Sequence, residues 1–143
     1  MTRLFDAVGE WQAERQAQRR SGVTLGFVPT MGALHDGHLS LVRRSRVDND
    51  RTLVSVFVNR TQFDDPGDFT GYPRTLAEDL RMLENEGADF VLVPTDEQLY
   101  PDRYAYRVSE TGLSRTLEGA CRPGHFDGVL TVVVKLLLLP AAE

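Results

Sequence analysis

The sequence predicts a single α/β domain with a parallel sheet, and three observations lead to that prediction. Short apolar segments alternate with segments of helical apolar spacing, which is the pattern of strand–helix–strand units. Residues 52–58 (TLVSVFV) are apolar at nearly every position, as expected of a strand that is covered on both faces. The length of 143 residues matches one average domain and is enough to bury one hydrophobic core.

Each expected element follows from its apolar spacing and from the residues that bound it. Leu4, Val8 and Trp11 lie at helical spacing and mark the first helix. The last apolar run is interpreted as a helix, although its valines also suit a strand. In chain order, the expected elements are a helix over 3–20, a strand over 24–28, a helix beginning near His38, a strand over 52–58, a polar loop over 59–73, a helix from Leu76 to Gly87, a strand over 89–93, an irregular segment over 96–121 with a short strand at 104–108, and a helix over 128–139.

Composition and charge exclude several classes of protein. The net charge of −5 argues against a general nucleic-acid binder, because proteins that neutralise a nucleic-acid backbone usually carry an excess of basic residues. The single cysteine excludes an internal disulfide framework and favours a reducing compartment, so the expected location is the cytoplasm. The most apolar stretch, residues 130–139, is half the length of about 20 residues that a membrane span needs.

The segment 29–38 (PTMGALHDGH) joins an expected strand to the start of a helix. Ligands of open α/β sheets bind beyond the carboxyl ends of the strands, and a helix N-terminus favours an anion. Gly32 and Gly37 let the backbone approach a ligand, and His35 and His38 face the same side if the turn is helical. On spacing alone, a functional histidine pair is about as well supported as a structural pair that lies at the surface or is packed in the core. The strand, glycines, histidines and helix together favour phosphate binding.

Two later segments carry further candidate residues. Gln62 follows the strand over 52–58, and its amide, which both donates and accepts, suits a ligand with hydroxyl and carboxylate groups. A solvent-facing role for Gln62 is the simpler interpretation from the sequence. In the segment 122–128 (RPGHFDG), Asp127 is a candidate helix N-cap, and Cys121 just before it is expected to be a small packed residue.

No resident metal site is expected. A zinc pair at His35 and His38 has no evident third ligand, and the cysteine is remote in sequence. The acidic cluster at Asp64, Asp65 and Asp68 lacks the glycine and terminal glutamate of a calcium loop, so it is interpreted as a solvated loop.

Four segments in order, PTMGALHDGH, FVNRTQF, YPR and RPGHFDGVLTVV, resemble the pantoate–β-alanine ligase (pantothenate synthetase) family. The resemblance covers nearly the whole chain but about the first half of a typical member. It implies a Rossmann-like nucleotidyl-transferase fold of the His-x-Gly-His superfamily. Residues 1–143 would then be a truncated N-terminal nucleotide-binding domain with an incomplete sheet, without the C-terminal domain that closes over the substrates.

The resemblance implies an ATP-dependent ligation in the biosynthesis of pantothenate, a step of the coenzyme A pathway. Pantoate reacts with ATP, accompanied by Mg²⁺, to give pantoyl adenylate and pyrophosphate, and β-alanine then displaces AMP. The complete protein would be a homodimer whose partners are these small molecules, with no nucleic acid and no membrane. By position, His38 and His35 would be catalytic, the ATP contacts would be Met31, Gly32, Ala33, Leu34, His35, Asp36, Gly37 and His38, and the substrate contacts would be Gln62, Asn59, Tyr72, Arg122 and His125.

The chain departs from the family pattern in two places. Arg60 stands where the family usually has proline, which adds a backbone N–H and relaxes φ in that loop. The Gly-Glu-Lys-Asp and Ser-Ser-Arg segments of the family are not found, so the isolated chain is expected to be weakly active or inactive. The helix over 128–139 is expected to lack part of its cover and to self-associate. The alternatives are a catalytically dead fragment that binds nucleotide or a partner chain, and another small His-x-Gly-His nucleotidyl transferase.

Overall fold

Four parallel strands form one sheet in the order β1-β4-β3-β2, with helices against both faces. The computed structural model describes residues 1–139, so residues 140–143, which belong to the expected domain, lie outside the described range. In chain order the elements are β1 (Arg3–Phe5), α1 (Val8–Arg20), β2 (Leu25–Thr30), α2 (Asp36–Asp48), β3 (Arg51–Val56), a 3₁₀ turn (Arg60–Gln62), α3 (Pro66–Gly71), α4 (Leu76–Asn85), β4 (Phe90–Leu92), α5 (Asp96–Leu99), a second 3₁₀ turn (Leu113–Arg115), α6 (Glu118–Cys121) and α7 (His125–Leu138).

Side chains of successive strand residues pack on opposite faces of the sheet, which produces a three-layer core. Val54 belongs to the apolar cluster shared with α2 and α4, whereas its neighbour Leu53 belongs to the cluster that contains Trp11 of α1. A third cluster joins Phe57, just after β3, to Val132 and other residues of α7. The α/β architecture with a parallel sheet is therefore confirmed.

The expected helix over 3–20 is wrong at its start. Residues Arg3–Phe5 form β1, which pairs with β4, and the helix begins only at Val8. Phe5 is 2% exposed and its ring lies 5.3 Å from that of Trp11, so the aromatic contact spans the turn between the two elements. A strand of three residues is too short to show an alternating pattern, and Leu4 happened to fit the helical one.

The strand over 24–28 is longer than expected and continues through Pro29 to Thr30. Proline removes a backbone donor, which usually ends a central strand. Because β2 lies at the edge of the sheet, one side of its backbone pairs with no other strand, and proline is tolerated there. The extension makes Thr30, rather than Val28, the last residue at the carboxyl end of β2.

Three other expectations in the second half of the chain are wrong. Residues 104–108 form no strand, since Arg103 and Tyr104 adopt left-handed φ values of 52° and 62° that break an extended backbone. Cys121 is exposed rather than packed. Asp127 lies in the first turn of α7, and Gly124, not Asp127, precedes the helix.

The loop over 59–73 is also more ordered than expected. It contains the 3₁₀ turn of Arg60–Gln62 and the helix α3, whose N-cap Asp65 accepts a hydrogen bond from the backbone N–H of Gly67. The guanidinium of the exposed Arg60 lies 5.2 Å from the centre of the Phe69 ring. Arg60, where the sequence departs from the expected pattern, is thus the start of a tight turn.

The helix α7 lies against the first 3₁₀ turn through a glycine. A Cβ at Gly128 would lie 2.4 Å from the carbonyl oxygen of Thr61 and 2.9 Å from the backbone nitrogen of Gln62. A contact of that length with backbone atoms cannot be relieved by a side-chain rotation. Only glycine at this position lets α7 approach the loop that follows β3.

Candidate active site

A buried carboxylate holds the segment that follows β2 and enters the first turn of α2, residues 31–38, hereafter the histidine loop. Asp79 of α4 is 1% exposed, and its two oxygens accept the backbone N–H groups of Ala33 at 3.0 Å and Leu34 at 2.8 Å. Gly32 has φ +77°, and its N–H donates to the Thr30 hydroxyl at 3.1 Å. The N–H groups of Gly32, Ala33 and Leu34 are therefore satisfied within the protein, before the N-terminus of α2 is reached.

The two histidines cap α2 with one ring nitrogen each. His35 Nδ1 accepts from the N–H of Gly37 at 3.1 Å, and His38 Nδ1 accepts from the N–H of His35 at 3.3 Å. The neutral rings therefore carry their protons on Nε2, a tautomer that follows from the hydrogen-bond pattern. The ring centres lie 4.1 Å apart. Both rings thus have an Nε2–H donor that the cap does not use.

The environment of His38 favours its neutral form. Partial burial and the neighbouring His35 lower the pKa of His38 below its usual 6.5, and the carboxylate of Asp79 opposes this only in part. At neutral pH the ring is a hydrogen-bond donor without a net charge. Such a donor can bind a phosphate oxygen and stabilise charge that develops there.

The loop after β3 places the side-chain amide of Gln62 beside the histidine loop. Gln62 ends the 3₁₀ turn, its Oε1 accepts from Asn59 Nδ2 at 3.0 Å, and its Nε2 lies 3.3 Å from the sulfur of Met31. Asn59 is 1% exposed, and its Nδ2 also donates to the carbonyl of Gly128 at 3.2 Å. Gln62 is therefore available at the surface of the site, whereas Asn59 serves as its internal support.

A cleft of about 250 Å³, hereafter the valine cleft, brings five of the candidate residues together. The strand ends and the loops after them form its polar side, and α7 forms an apolar wall. The lining residues are Pro29, Thr30, Met31, His38, Phe57, Asn59, Gln62, Tyr72, Val129, Val132, Val133 and Leu136. The cleft thus contains a hydrogen-bond donor that suits a phosphate oxygen, on His38, together with the amide of Gln62 and an apolar wall.

Arg122 and His125 do not line the valine cleft, but both form hydrogen bonds to the backbone at its edge. His125 Nδ1–H donates to the carbonyl of Gln62 at 2.7 Å, and Arg122 donates to the same oxygen at 3.2 Å. Arg122 also pairs with Asp64 at 2.7 Å, and this bond raises the pKa of its guanidinium. Both side chains position the backbone of the residue that faces the cleft.

Sequence reasoning missed two residues that the structure brings to the site. Asp79 follows Leu76 by three residues and precedes Leu83 by four. This spacing alone indicates that the carboxylate lies on the buried face of α4. Tyr100 gives no comparable signal. Its hydroxyl donates to Asn59 Oδ1 at 2.7 Å across 41 residues, and only the fold shows that contact.

The described residues offer neither a metal cluster nor a membrane-spanning helix. Within residues 1–139, no group of three or more histidine, cysteine, aspartate or glutamate side chains is arranged to hold a metal ion. Over the same range, no helix combines the length and apolar content that a bilayer crossing requires.

Known proteins of one family match the chain over nearly its whole length. The family model described as Pantoate-beta-alanine ligase matches residues 3–143. A pantothenate synthetase of Coxiella burnetii is 52% identical over 139 residues, which make up 97% of this chain and 53% of that protein. A pantothenate synthetase of Bdellovibrio bacteriovorus is 52% identical over 136 residues, or 95% of this chain and 53% of the relative.

Solved structures show the same fold. A pantoate-beta-alanine ligase from Francisella tularensis, crystallised in complex with beta-gamma ATP and beta-alanine, matches with a TM-score of 0.94 and 38% identity, covering 99% of this chain and 54% of that one. Pantothenate synthetase from Thermus thermophilus matches with a TM-score of 0.86 and 42% identity, covering 99% of this chain and 50% of that one. The chain spans about half the length of the curated relatives it matches.

Proposed function

Since the chain belongs to the pantoate–β-alanine ligase family, we propose that its site activates pantoate with ATP on the way to pantothenate. In this reaction a pantoate carboxylate oxygen attacks the α-phosphorus of ATP, and pyrophosphate leaves. The amine of β-alanine then attacks the acyl carbon of the adenylate, and AMP leaves. The relative from Francisella tularensis, in complex with beta-gamma ATP and beta-alanine, supports both ligands for this chain.

The histidine loop supplies the phosphate side of the proposal. The Nε2–H groups of His35 and His38 are donors that bind the ATP phosphates without competing with the cap of α2. As negative charge grows on the phosphate oxygens during transfer, a preorganised donor at His38 stabilises it. Mg²⁺ enters this scheme as part of the substrate, bound to the phosphates of ATP.

The valine cleft supplies the pantoate side. The apolar wall of Val129, Val132 and Val133 suits the branched carbon skeleton of pantoate, and Gln62 Nε2 offers a hydrogen bond to its carboxylate or hydroxyl groups. Tyr72 lies at the same cleft, and its ring packs 5.7 Å from that of Phe63. The observation that carries the proposal is that His38 and Gln62 line one cleft, so phosphate and hydroxy acid meet there.

The family also supports finer proposals about the whole protein. We propose that residues 1–143 act as its nucleotide-binding domain, and that the complete enzyme is a cytoplasmic homodimer.

The test is calorimetric binding of ATP and of pantoate to the chain, together with pantoate-dependent exchange of labelled pyrophosphate into ATP. We expect both ligands to bind, and His38→Ala to weaken ATP binding by about tenfold, because one hydrogen bond to a charged oxygen is lost. Val47→Ala, at an 82% exposed position near the other end of α2, is the matched control and should leave ATP binding unchanged.

Two outcomes contradict the proposal. ATP binding without any pantoate binding or exchange favours a nucleotide-binding fragment instead. Equal ATP affinity for His38→Ala and the wild-type chain removes the histidine loop from the phosphate site.

A further inference from the structure

Asn59 is a buried amide whose hydrogen bonds are all made inside the protein. Its Oδ1 accepts from the hydroxyls of Tyr100 at 2.7 Å and Thr61 at 3.0 Å. Its Nδ2 donates to Gln62 Oε1 at 3.0 Å and to the carbonyl of Gly128 at 3.2 Å. An amide used in this way supports its neighbours and is not itself free for a ligand.

The Tyr100 hydroxyl helps to set the direction of this amide. Because a hydroxyl hydrogen points at Oδ1 of Asn59, the amide turns its Nδ2 toward the cleft side, where Gln62 Oε1 accepts. With Oε1 engaged, Gln62 presents its Nε2 hydrogens beside Met31 at the cleft. The chain of contacts therefore runs from Tyr100 through Asn59 to the donor that faces the ligand.

Tyr100 is held firmly enough to serve this purpose. It is 5% exposed, and its ring packs 6.4 Å from the ring of Phe57. The ammonium of Lys135, the only lysine of the chain, lies 5.0 Å from the centre of the Tyr100 ring. Lys135 also forms an ion pair with Asp102 at 2.9 Å, and this pair holds the ammonium beside the ring. Burial raises the pKa of the Tyr100 hydroxyl to about 12, which keeps it protonated and donating at neutral pH.

We propose that Tyr100 is a positioning residue for hydroxy-acid recognition, acting through Asn59 on the amide of Gln62. This inference rests on the proposed function, since it assigns pantoate to the valine cleft. Tyr100 does not line that cleft, so its effect on the ligand is indirect. It is also confined to one ligand, because the network does not reach the histidine rings that are proposed to bind ATP.

The test compares Tyr100→Phe with the matched control Tyr104→Phe. Tyr104 packs 5.7 Å from the Tyr100 ring, but its hydroxyl makes no hydrogen bond to residues 1–139. Phenylalanine keeps the ring packing at either position, and thermal unfolding verifies that each variant is folded. Titrations with pantoate and with ATP, and ¹⁵N NMR of the Asn59 and Gln62 side-chain amides without ligand, are the two readouts.

We expect Tyr100→Phe to raise the Kd for pantoate by about 5- to 10-fold and to leave the Kd for ATP within twofold, as the loss of the hydrogen bond to Asn59 predicts. The Asn59 and Gln62 amide resonances should shift in Tyr100→Phe and stay in place in Tyr104→Phe. Unchanged pantoate affinity in Tyr100→Phe, or an equal loss of pantoate and ATP affinity, overturns the inference. A wild-type chain that binds no pantoate defeats the proposed function itself, and unshifted amides in a chain that does bind it defeat only the positioning role.

Discussion

Each imidazole of the histidine loop uses its Nδ1 in the cap of α2, which leaves Nε2–H for the proposed ligand. The Nδ1 atom of His38 accepts the backbone N–H of His35, and that of His35 accepts the N–H of Gly37. A proton added to either Nδ1 would remove an acceptor from the cap of α2. The charge state of these rings and the geometry of the loop are therefore linked.

This linkage predicts a stability that depends on pH. The pKa of His38 in the folded chain lies below its ordinary 6.5 because of burial and the neighbouring His35. Between the two values the unfolded chain binds more protons, so the free energy of unfolding is greatest above pH 6.5 and falls as the pH drops through 6.5. An NMR titration should give a His38 midpoint below 6.5, and urea unfolding at pH 7.5 and 5.5 should show the loss.

His38→Gln is the control for that measurement, because it removes the titrating group and leaves His35 and His125 in place. The fall in unfolding free energy between the two pH values should be smaller in this variant. A His38 midpoint at or above 6.5 in the wild-type chain contradicts the prediction.

At the residue scale, the sequence indicates chemistry better than it indicates contacts. His38 is a candidate because of its residue type and its position after a strand, whereas Gln62 becomes a candidate only through the family resemblance. Asn59 could not be assigned to internal support, since its partners Tyr100 and Gly128 lie 41 and 69 residues away. Those partners are set by the packing of α5 and α7, which spacing along the chain does not reveal.

Among the elements, α4 supports the histidine loop although the two are far apart in the sequence. It covers the sheet through Leu83 and at the same time presents Asp79 to the backbone of the histidine loop. Thr75, at the start of the helix, donates to the same carboxylate at 3.2 Å. The helix and the loop therefore behave as one unit.

Asp79→Asn should uncouple them. The asparagine amide has one acceptor oxygen, so one of the two loop N–H groups would face an NH₂ group and lose its partner. We expect the free energy of unfolding to fall by about 1–3 kcal/mol, because a buried donor is left unsatisfied. Urea unfolding and an ATP titration are the measurements, and ATP affinity should fall as the loop loses its shape.

Glu78→Gln is the matched control, since Glu78 is the exposed neighbour of Asp79 on the same helix. It should change neither quantity. Wild-type stability and ATP affinity in Asp79→Asn would show that the carboxylate does not hold the loop.

The elements that could be predicted are those with several turns or alternations. α2, α4 and β3 show their apolar patterns over six or more residues, and their bounds in the structure lie close to the expected ones. β1 has only three residues, and its pairing with β4 depends on contacts between distant parts of the chain. Residues 103 and 104 break the expected strand through left-handed backbone, for which neither arginine nor tyrosine gives a sequence signal.

On the scale of the whole molecule, α7 has one covered and one open side. Val132 and Leu136 are each 5% exposed and face the third core cluster, whereas Leu137 is 54% and Leu138 73% exposed. Exposed apolar side chains on one helix face favour contact between molecules.

We therefore predict that this chain self-associates through α7. Sedimentation velocity should show a mass that rises with concentration, and the double variant Leu137→Lys, Leu138→Lys should sediment as a monomer. Lysine is favourable in the last turn of a helix, so the substitutions should not unfold α7. Val47→Lys is the control, because Val47 is 82% exposed on α2 and lies away from this face. A wild-type chain that is monomeric at all concentrations contradicts the prediction.

The close approach of α7 at Gly128 joins parts of the chain that are far apart in the sequence. The histidine loop closes on Asp79 across 46 residues, but the Asn59–Gly128 bond that completes the valine cleft spans 69. The longer closure costs more chain entropy, and during synthesis its second partner is made last. A growing chain therefore contains both partners of the histidine-loop contact before it contains Gly128 and the helix that forms the apolar wall of the valine cleft. The two sides of the cleft are translated in a fixed order, with the wall last.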